Sequence, residues 1–99
     1  MSTRGRDLLS YHVALSAFES AARCGSFHAA ALQLNMDQAT VSYQIKKLEK
    51  HLNTPLLYRR RDSVILTDGG QKLFKSLERG FASIELGLAE IARDPHGNP

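Results

Sequence analysis

The sequence predicts a mainly α fold in which three helices precede a two-stranded hairpin and one long helix. Three observations support this prediction. Apolar residues recur every three or four positions across residues 11–24, 27–34 and 38–52, with capping residues at the boundaries. Two short runs with β-branched or aromatic residues, 56–60 and 64–67, flank a polar turn. Within a last predicted helix over residues 68–93, residues 74–91 then carry an unbroken heptad repeat.

The composition is that of a small globular domain. The 99 residues suffice for one modest core, and apolar residues make up an ordinary 42%. No apolar run is long enough to cross a membrane, and the N-terminus lacks the apolar segment of a signal peptide. The single cysteine, Cys24, excludes a disulfide framework and fits a reducing cytoplasm.

Charge is unevenly distributed along the chain. Residues 1–61 carry 9 Lys and Arg against 4 Asp and Glu, whereas residues 62–99 carry 4 against 6. The basic excess peaks at positions 46–50 and 59–61. A local basic patch suggests a polyanionic partner, although lysines that merely solvate a helix face are more common. Charge alone therefore does not decide the function.

The first two helices are predicted from caps and apolar spacing. The first covers residues 11–24, with Ser10 as its N-cap and Gly25 as the residue that ends it. Ser26 caps the second, whose alanines allow close helix packing. The predicted buried residues are Tyr11, Leu15, Phe18 and Ala22 in the first helix and Phe27, Ala30, Ala31 and Leu34 in the second.

The third helix has two distinct faces. It begins after Asp37, a good N-cap, and ends where Asn53 tolerates a left-handed conformation ahead of Pro55. Its apolar face, predicted to be buried, comprises Val41, Ile45, Leu48 and Leu52. Its opposite face carries Gln38, Ala39, Ser42, Tyr43 and Lys46. A merely solvated face would more typically carry Glu and Lys throughout.

The hairpin is predicted to form a basic wing beside the helices. Strand alternation puts Arg59 and Arg61 on one side of the first strand and Arg60 on the other. Basic side chains at a wing are suited to a narrow minor groove, where the negative potential is enhanced. For Arg60 and Arg61, charged residues that keep a hairpin tip soluble are an alternative explanation.

The last helix is predicted to start at Thr67 and Asp68 and to end near Arg93. Its narrow apolar seam favours a partner helix over packing on its own domain alone. Gly80 and Gly87 flank the seam, where they would permit close approach of another helix. The seam, predicted as a dimer interface, consists of Phe74, Leu77, Phe81, Ile84, Leu88 and Ile91.

Two helices joined by a tight turn and followed by a wing are typical of a DNA reader. The third helix would then enter the major groove. The predicted base-reading residues are Gln38, Ala39, Ser42 and Tyr43. The predicted phosphate and groove contacts are His28, Thr40, Lys46, Lys47, Arg59, Arg60 and Arg61. A surface histidine without a role is an alternative interpretation of His28.

Catalytic and metal-binding patterns are absent from the sequence. His12, His28, His51 and His96 show no metal-ligand spacing and no cysteine partners. The glycine-rich stretch at residues 68–72 lacks a phosphate-loop pattern. The sequence therefore predicts a protein that is not an enzyme and holds no cofactor.

Several motifs together resemble the N-terminal DNA-binding domain of LysR-type bacterial transcriptional regulators. They are "GSF" at residues 25–27, "Q..VS.QI..LE..L" at 38–52, "PLL.R" at 55–59 and "LT..G" at 66–70. The resemblance covers roughly residues 9–92, and the opening is similar to glycine-cleavage activators and β-lactamase regulators. It implies a winged helix-turn-helix that dimerises through antiparallel linker helices and binds an interrupted palindrome in promoter DNA.

The resemblance places the family's base-reading positions on Gln38, Ala39, Ser42 and Tyr43, and its wing arginine on Arg59. The sequence departs from the family pattern at four positions. Pro is frequent in the family where Ala39 stands, and Arg or His where Tyr43 stands. Glycine is usual at Asn53, and Ser or Thr at Asp37, where an anion could weaken a phosphate contact.

We therefore expect a DNA-binding domain over residues 1–67, a dimerising linker helix over 68–93 and a disordered tail over 94–99. The family's C-terminal effector-binding domain is absent, so a small-molecule effector would act only through that missing part. An excised domain is favoured over a naturally short regulator. The expected location is the cytoplasm, at the nucleoid.

Two other functions are compatible with such a fold. A winged-helix module could dimerise and sequester a partner regulator without binding DNA, but it would not need the polar, basic face of the third helix. A molybdate-regulator-type winged helix predicts a glycine-rich wing, which "RRRDSV" lacks.

Overall fold

A computed structural model of the chain describes residues 3–61 and 63–93. The elements in these ranges are α1 (Thr3–Cys24), α2 (Phe27–Leu34), α3 (Gln38–Leu52), β1 (Leu57–Arg60), β2 (Ser63–Leu66) and α4 (Asp68–Arg93). This order confirms the predicted winged helix-turn-helix with a long final helix. The tail predicted over residues 94–99 lies outside the described residues.

Helix α1 is longer than the sequence predicted. It begins at Thr3, so Ser10 lies inside the helix and the prediction of an N-cap there was wrong. Residues 6–10 contain neither glycine nor proline, so nothing in them ends a helix. The buried face of α1 is also rotated by about one residue from the predicted face. Tyr11, Leu15 and Ala22 are therefore only half-buried. Between residues 11 and 24, the buried apolar residues of α1 are Ala14, Ala17, Phe18 and Ala21.

The predicted caps of α2 and α3 are confirmed. Ser26 Oγ accepts a hydrogen bond from the backbone N–H of Ala29 at 2.9 Å, and Asp37 Oδ1 accepts one from Thr40 at 2.7 Å. Asn53 ends α3 with a φ of 53°, the left-handed conformation that asparagine tolerates. These caps fix where α3 starts and stops, and hence which side chains its outer face presents.

The core lies between α1, α2 and α3. Val41, Ile45 and Leu48 of α3 are buried as predicted, and Leu56 joins them from the start of the wing. The prediction that Leu52 is buried was wrong, since it is 43% exposed. The last turn of α3 meets α1 through His51 instead, whose ring stacks on Tyr11 with centroids 4.2 Å apart.

The wing and α4 are joined to the core at a close contact. Thr67 Oγ1 caps α4 by accepting from the N–H of Gly70 at 2.9 Å, and it donates to the carbonyl of Pro55 at 2.7 Å. A Cβ on Gly70 would lie 1.9 Å from the carbonyl oxygen of Leu56. Only glycine therefore fits at this position without movement of the backbone.

The apolar seam of α4 divides into two parts. Its first residues, Phe74 and Leu77, pack on the core. Farther along, Ile84, Leu88 and Ile91 are 59%, 62% and 67% exposed. Packing on its own domain therefore extends along α4 to about residue 85, which lies beside α1, and does not cover the end of the helix. No helix in the described part of the chain has the length and apolar character needed to cross a membrane.

Candidate nucleic-acid interface

Helix α3 and strand β1 form one continuous polar surface, which we call the α3–wing surface. Burial of the opposite face of α3 in the core turns these side chains outward, and Tyr43 is 63% exposed. The hairpin register pairs Arg59 with Val64, and a hydrogen bond from Arg59 to Gln38 links β1 to α3. The lining residues of the α3–wing surface are Gln38, Ala39, Ser42, Tyr43, Lys46 and Arg59. The structure thus brings together all four predicted base-reading residues with two of the predicted cations.

A second depression adjoins the first and shares Gln38 and Arg59 with it. This α2–wing depression is lined by Ser26, Phe27, His28, Gln38, Arg59, Arg61 and Ser63. Arg59 and Arg61 both line this depression, as predicted, but Arg61 lies in the turn after β1 with a φ of 48°, so strand alternation is not the reason. None of the described residues that line the two depressions is acidic. Glu49 lines a neighbouring depression with Lys46 and Arg59, but the cations of this side, with Arg61, outnumber the acidic groups and give it a positive charge.

Three side chains connect the wing, α3 and α2. Arg59 Nη2 donates a hydrogen bond to Gln38 Oε1 at 3.1 Å. Gln38 Nε2 lies 3.3 Å from Nδ1 of His28. The guanidinium of Arg59 also stacks over the Phe27 ring, with its central carbon 4.3 Å from the ring centroid. The predicted base reader and the predicted wing cation therefore contact each other directly.

Asp37 is the acidic group closest to these residues in the sequence. The backbone hydrogen bond from Thr40, followed by that from its side chain, lowers the pKa of the Asp37 carboxyl. The carboxylate is thus held ionised at the N-terminus of α3, where the helix dipole also favours an anion.

Other predicted contacts lie apart from the α3–wing surface. Lys47 faces α1, and its Nζ lies 5.6 Å from the Tyr11 ring centroid. Thr40 is half-buried beside the cap of α3. Arg60 pairs with Ser63 at the end of the hairpin, where its carbonyl accepts from the Ser63 hydroxyl at 3.0 Å. Arg60 does not line either depression.

The sequence reasoning missed two contributors to this region. Phe27 was predicted only as a core residue, yet its ring also supports the guanidinium of Arg59. Ser63 was treated as part of a polar turn, yet it lines the α2–wing depression. No local sequence signal links Phe27 to Arg59, because the two residues are far apart in the chain. No group of three or more metal-ligating side chains forms among the described residues.

Comparison with models of protein families identifies the family of this chain. A family model described as "Bacterial regulatory helix-turn-helix protein, lysR family" matches residues 12–71. The chain belongs to the LysR family. This membership confirms the resemblance drawn from the motifs, and with it the class of protein, a helix-turn-helix transcription regulator.

Two curated relatives illustrate the extent of the similarity within the LysR family. The transcriptional activator AmpR of Rhodobacter capsulatus is 48% identical over 68 residues, which cover 69% of this chain and 24% of that protein. The glycine cleavage system transcriptional activator of Escherichia coli (strain K12) is 44% identical over 71 residues, which cover 72% and 23%. The chain therefore spans about a quarter of the length of these relatives.

A solved structure supports the same fold. The crystal structure of the BenM_DBD/benA site 1 DNA complex is similar to this LysR-family chain with a TM-score of 0.74 at 26% identity. The match covers 86% of this chain and 96% of that chain. The similarity thus extends over nearly all of the helices and the wing.

Proposed function

We propose that this chain binds double-stranded promoter DNA in a sequence-specific manner, with α3 in the major groove. The observation that supports the proposal best is the α3–wing surface, on which four side chains suited to base edges lie beside Lys46 and Arg59. A major groove accommodates one α-helix, and α3 presents this face while its other face stays in the core. That a solved relative of the same fold is a DNA complex supports the same assignment.

Each residue of the outer face of α3 has a definite role in the proposal. Gln38 pairs with the N6/N7 edge of adenine, since a carboxamide offers one donor and one acceptor. Ala39 meets a thymine methyl group, and Ser42 donates or accepts according to the base it faces. Tyr43 packs its ring on a base or sugar and reaches a phosphate with its hydroxyl.

The cations supply the sequence-independent part of the affinity. Arg59, held between Gln38 and the Phe27 ring, contacts a phosphate at the edge of the groove that α3 enters. The further phosphate contacts that we assign are Lys46 and Arg61, which line the two depressions. In this role the chain performs no catalysis, and its place in a bacterial cell is the cytoplasm, at the nucleoid.

We further propose that two copies pair through α4. Ile84, Leu88 and Ile91 are exposed along one seam, and nothing in the described chain lies within 4 Å of a Cβ placed at Gly80 or Gly87. A second α4 could therefore approach along this side and bury the seam. A two-fold dimer places two recognition helices in inverted orientation, which calls for an interrupted palindrome as the binding site.

Fluorescence anisotropy of labelled duplexes with the 99-residue chain, over a range of salt concentrations, tests this function. We expect log K to fall with log salt at a slope of about −0.9 per phosphate neutralised. Arg59→Ala should lower the affinity for all duplexes and reduce the salt slope by about one, and Arg60→Ala, which lines neither depression, serves as the matched control. Binding that is insensitive to salt, or absent with every duplex, would contradict the proposal and favour a module that binds only protein.

A further inference from the structure

We propose that His28 is a positioning residue for base reading: its ring nitrogen holds the amide of Gln38 in one orientation. The inference rests on the proposed function, because it assigns a role within the same surface. Its basis is the line of contacts from Arg59 in the wing, through Gln38 at the start of α3, to His28 at the start of α2.

The orientation of the amide follows from donor and acceptor chemistry. A guanidinium group can only donate, so Arg59 Nη2 must face the amide oxygen of Gln38, from which it lies 3.1 Å. The amide nitrogen then faces His28 Nδ1 across 3.3 Å. Because an amide nitrogen also only donates, Nδ1 is the acceptor, and the ring proton of a neutral His28 is on Nε2.

These two contacts leave Gln38 able to bind a base. Its nitrogen carries two hydrogens and its oxygen two lone pairs, so one donor and one acceptor remain. Adenine recognition by a glutamine requires one of each. An amide held at both ends presents them in fixed positions, whereas an amide held at one end can turn over and exchange them. Holding the amide in one orientation therefore favours one base pair and reduces the conformational entropy that the side chain loses on DNA binding.

The contact at the Arg59 end does not depend on His28. The guanidinium is also anchored on the ring of Phe27, which is buried in the core. Removal of the His28 imidazole thus frees the amide nitrogen only and leaves the wing cation in place. The expected effect is a loss of discrimination at one base pair without a change in the salt dependence of binding.

This expectation distinguishes the positioning role of His28 from the phosphate contact that the sequence predicted for it. A side chain that binds a phosphate affects all DNA sequences alike, and a cationic one also changes the salt slope by about one. A side chain that orients Gln38 affects only the base pair that Gln38 reads.

The test measures the dissociation constants of the 99-residue chain for the duplex that the wild type prefers and for every single-base-pair substitution of it. The base pair read by Gln38 is the one at which Gln38→Ala removes the preference. His28→Ala should reduce the preference at that pair by about two- to tenfold, the value of one hydrogen bond, and leave the other positions unchanged. His28→Asn is the matched control, because Asn Oδ1 is bonded to Cγ just as His Nδ1 is and can accept the same hydrogen bond. It should keep the preference.

The double variant His28→Ala/Gln38→Ala should discriminate no less than Gln38→Ala alone, since His28 acts through Gln38. A uniform loss of affinity in His28→Ala, or an unchanged preference at the Gln38 base pair, would overturn the positioning role while leaving the proposed function intact. A wild-type chain that prefers no duplex would overturn the proposed function, and the positioning role with it.

Discussion

The carboxylate of Glu49 accepts a hydrogen bond from the backbone N–H of Leu56, with 2.7 Å between Oε2 and the nitrogen. The same oxygen lies 3.3 Å from the nitrogen of Leu57, which begins β1. Glu49 stands in the last turns of α3, so one side chain of the recognition helix holds the start of the wing. The angle between α3 and β1, and with it the α3–wing surface, depends on this contact.

Replacement of Glu49 should therefore lower stability. We expect Glu49→Ala to reduce the free energy of unfolding by about 1–3 kcal/mol, because two partly buried backbone N–H groups lose a charged acceptor. Glu49→Gln should cost less, since its amide oxygen can still accept. Urea unfolding monitored by circular dichroism at one fixed protein concentration measures both. Lys50→Ala, at the neighbouring exposed position, is the control. An equal effect of Glu49→Ala and Lys50→Ala on the free energy of unfolding would show that the Glu49 contact does not stabilise the wing.

Two glycines of α4 should respond in opposite ways to alanine. In Gly70→Ala the new Cβ would meet the Leu56 carbonyl oxygen at 1.9 Å, so the backbone must shift. We expect a loss of at least about 1–3 kcal/mol in the free energy of unfolding, as for other overpacked sites. Gly80→Ala has open space around it and should gain about 0.5–1 kcal/mol from helix propensity.

Both glycine variants are best measured in a Leu88→Asp background, so that dimer formation does not enter the comparison. Equal effects of Gly70→Ala and Gly80→Ala on the urea midpoint would be incompatible with the contact between α4 and the start of the wing.

Dimerisation can be tested with two leucines of almost equal exposure. Leu88 lies on the α4 seam and is 62% exposed, whereas Leu86 lies off the seam and is 60% exposed. We expect Leu88→Asp to give a monomer in sedimentation velocity and to weaken DNA binding, because a buried aspartate would disrupt a helix pair. Leu86→Asp should sediment as the wild type does. A dimer that survives Leu88→Asp would rule out the seam as the interface.

Asp37 should make stability depend on acid pH. The hydrogen bonds from Thr40 lower the folded-state pKa of its carboxyl. Its stabilising contribution is therefore complete above the unfolded-state pKa, about 3.9 for an aspartate, and is lost as the pH falls through the lower folded-state value. Asp37→Asn keeps an N-cap but does not titrate. The difference in free energy of unfolding between wild type and this variant, measured by urea unfolding from pH 7 to pH 2, should be constant near neutrality and change only in the acid range. A difference that does not vary with pH would contradict the assignment.

The features that the sequence predicted well are set by nearby residues. Ser26, Asp37 and Asn53 act within one helical turn, so their chemistry could be read directly from the chain. The start of α1 could not be predicted in this way. Ser10 is a suitable N-cap residue, but residues 6–10 contain no glycine or proline, and the helix extends through them to Thr3. The exposure of Leu52 depends on how the last turn of α3 meets Tyr11.

The composition of the candidate site was predictable, but its internal contacts were not. Helical periodicity alone places Gln38, Ser42 and Tyr43 on one face of α3. The hydrogen bond between Arg59 and Gln38 joins residues 21 positions apart. Glu49 helps to hold the wing against α3, and no local pattern reports the angle between the two elements.

Selection from a library of random duplexes, carried out with the wild-type 99-residue chain and with Gln38→Ala, tests the central claim most directly. The claim is that the outer face of α3 reads bases. The account predicts that the wild type enriches one motif of two inverted half-sites and that Gln38→Ala loses the preference at one base pair in each half-site, worth about 1–3 kcal/mol. Enrichment of no motif by the wild type, or of the same motif with unchanged preference by Gln38→Ala, would contradict it.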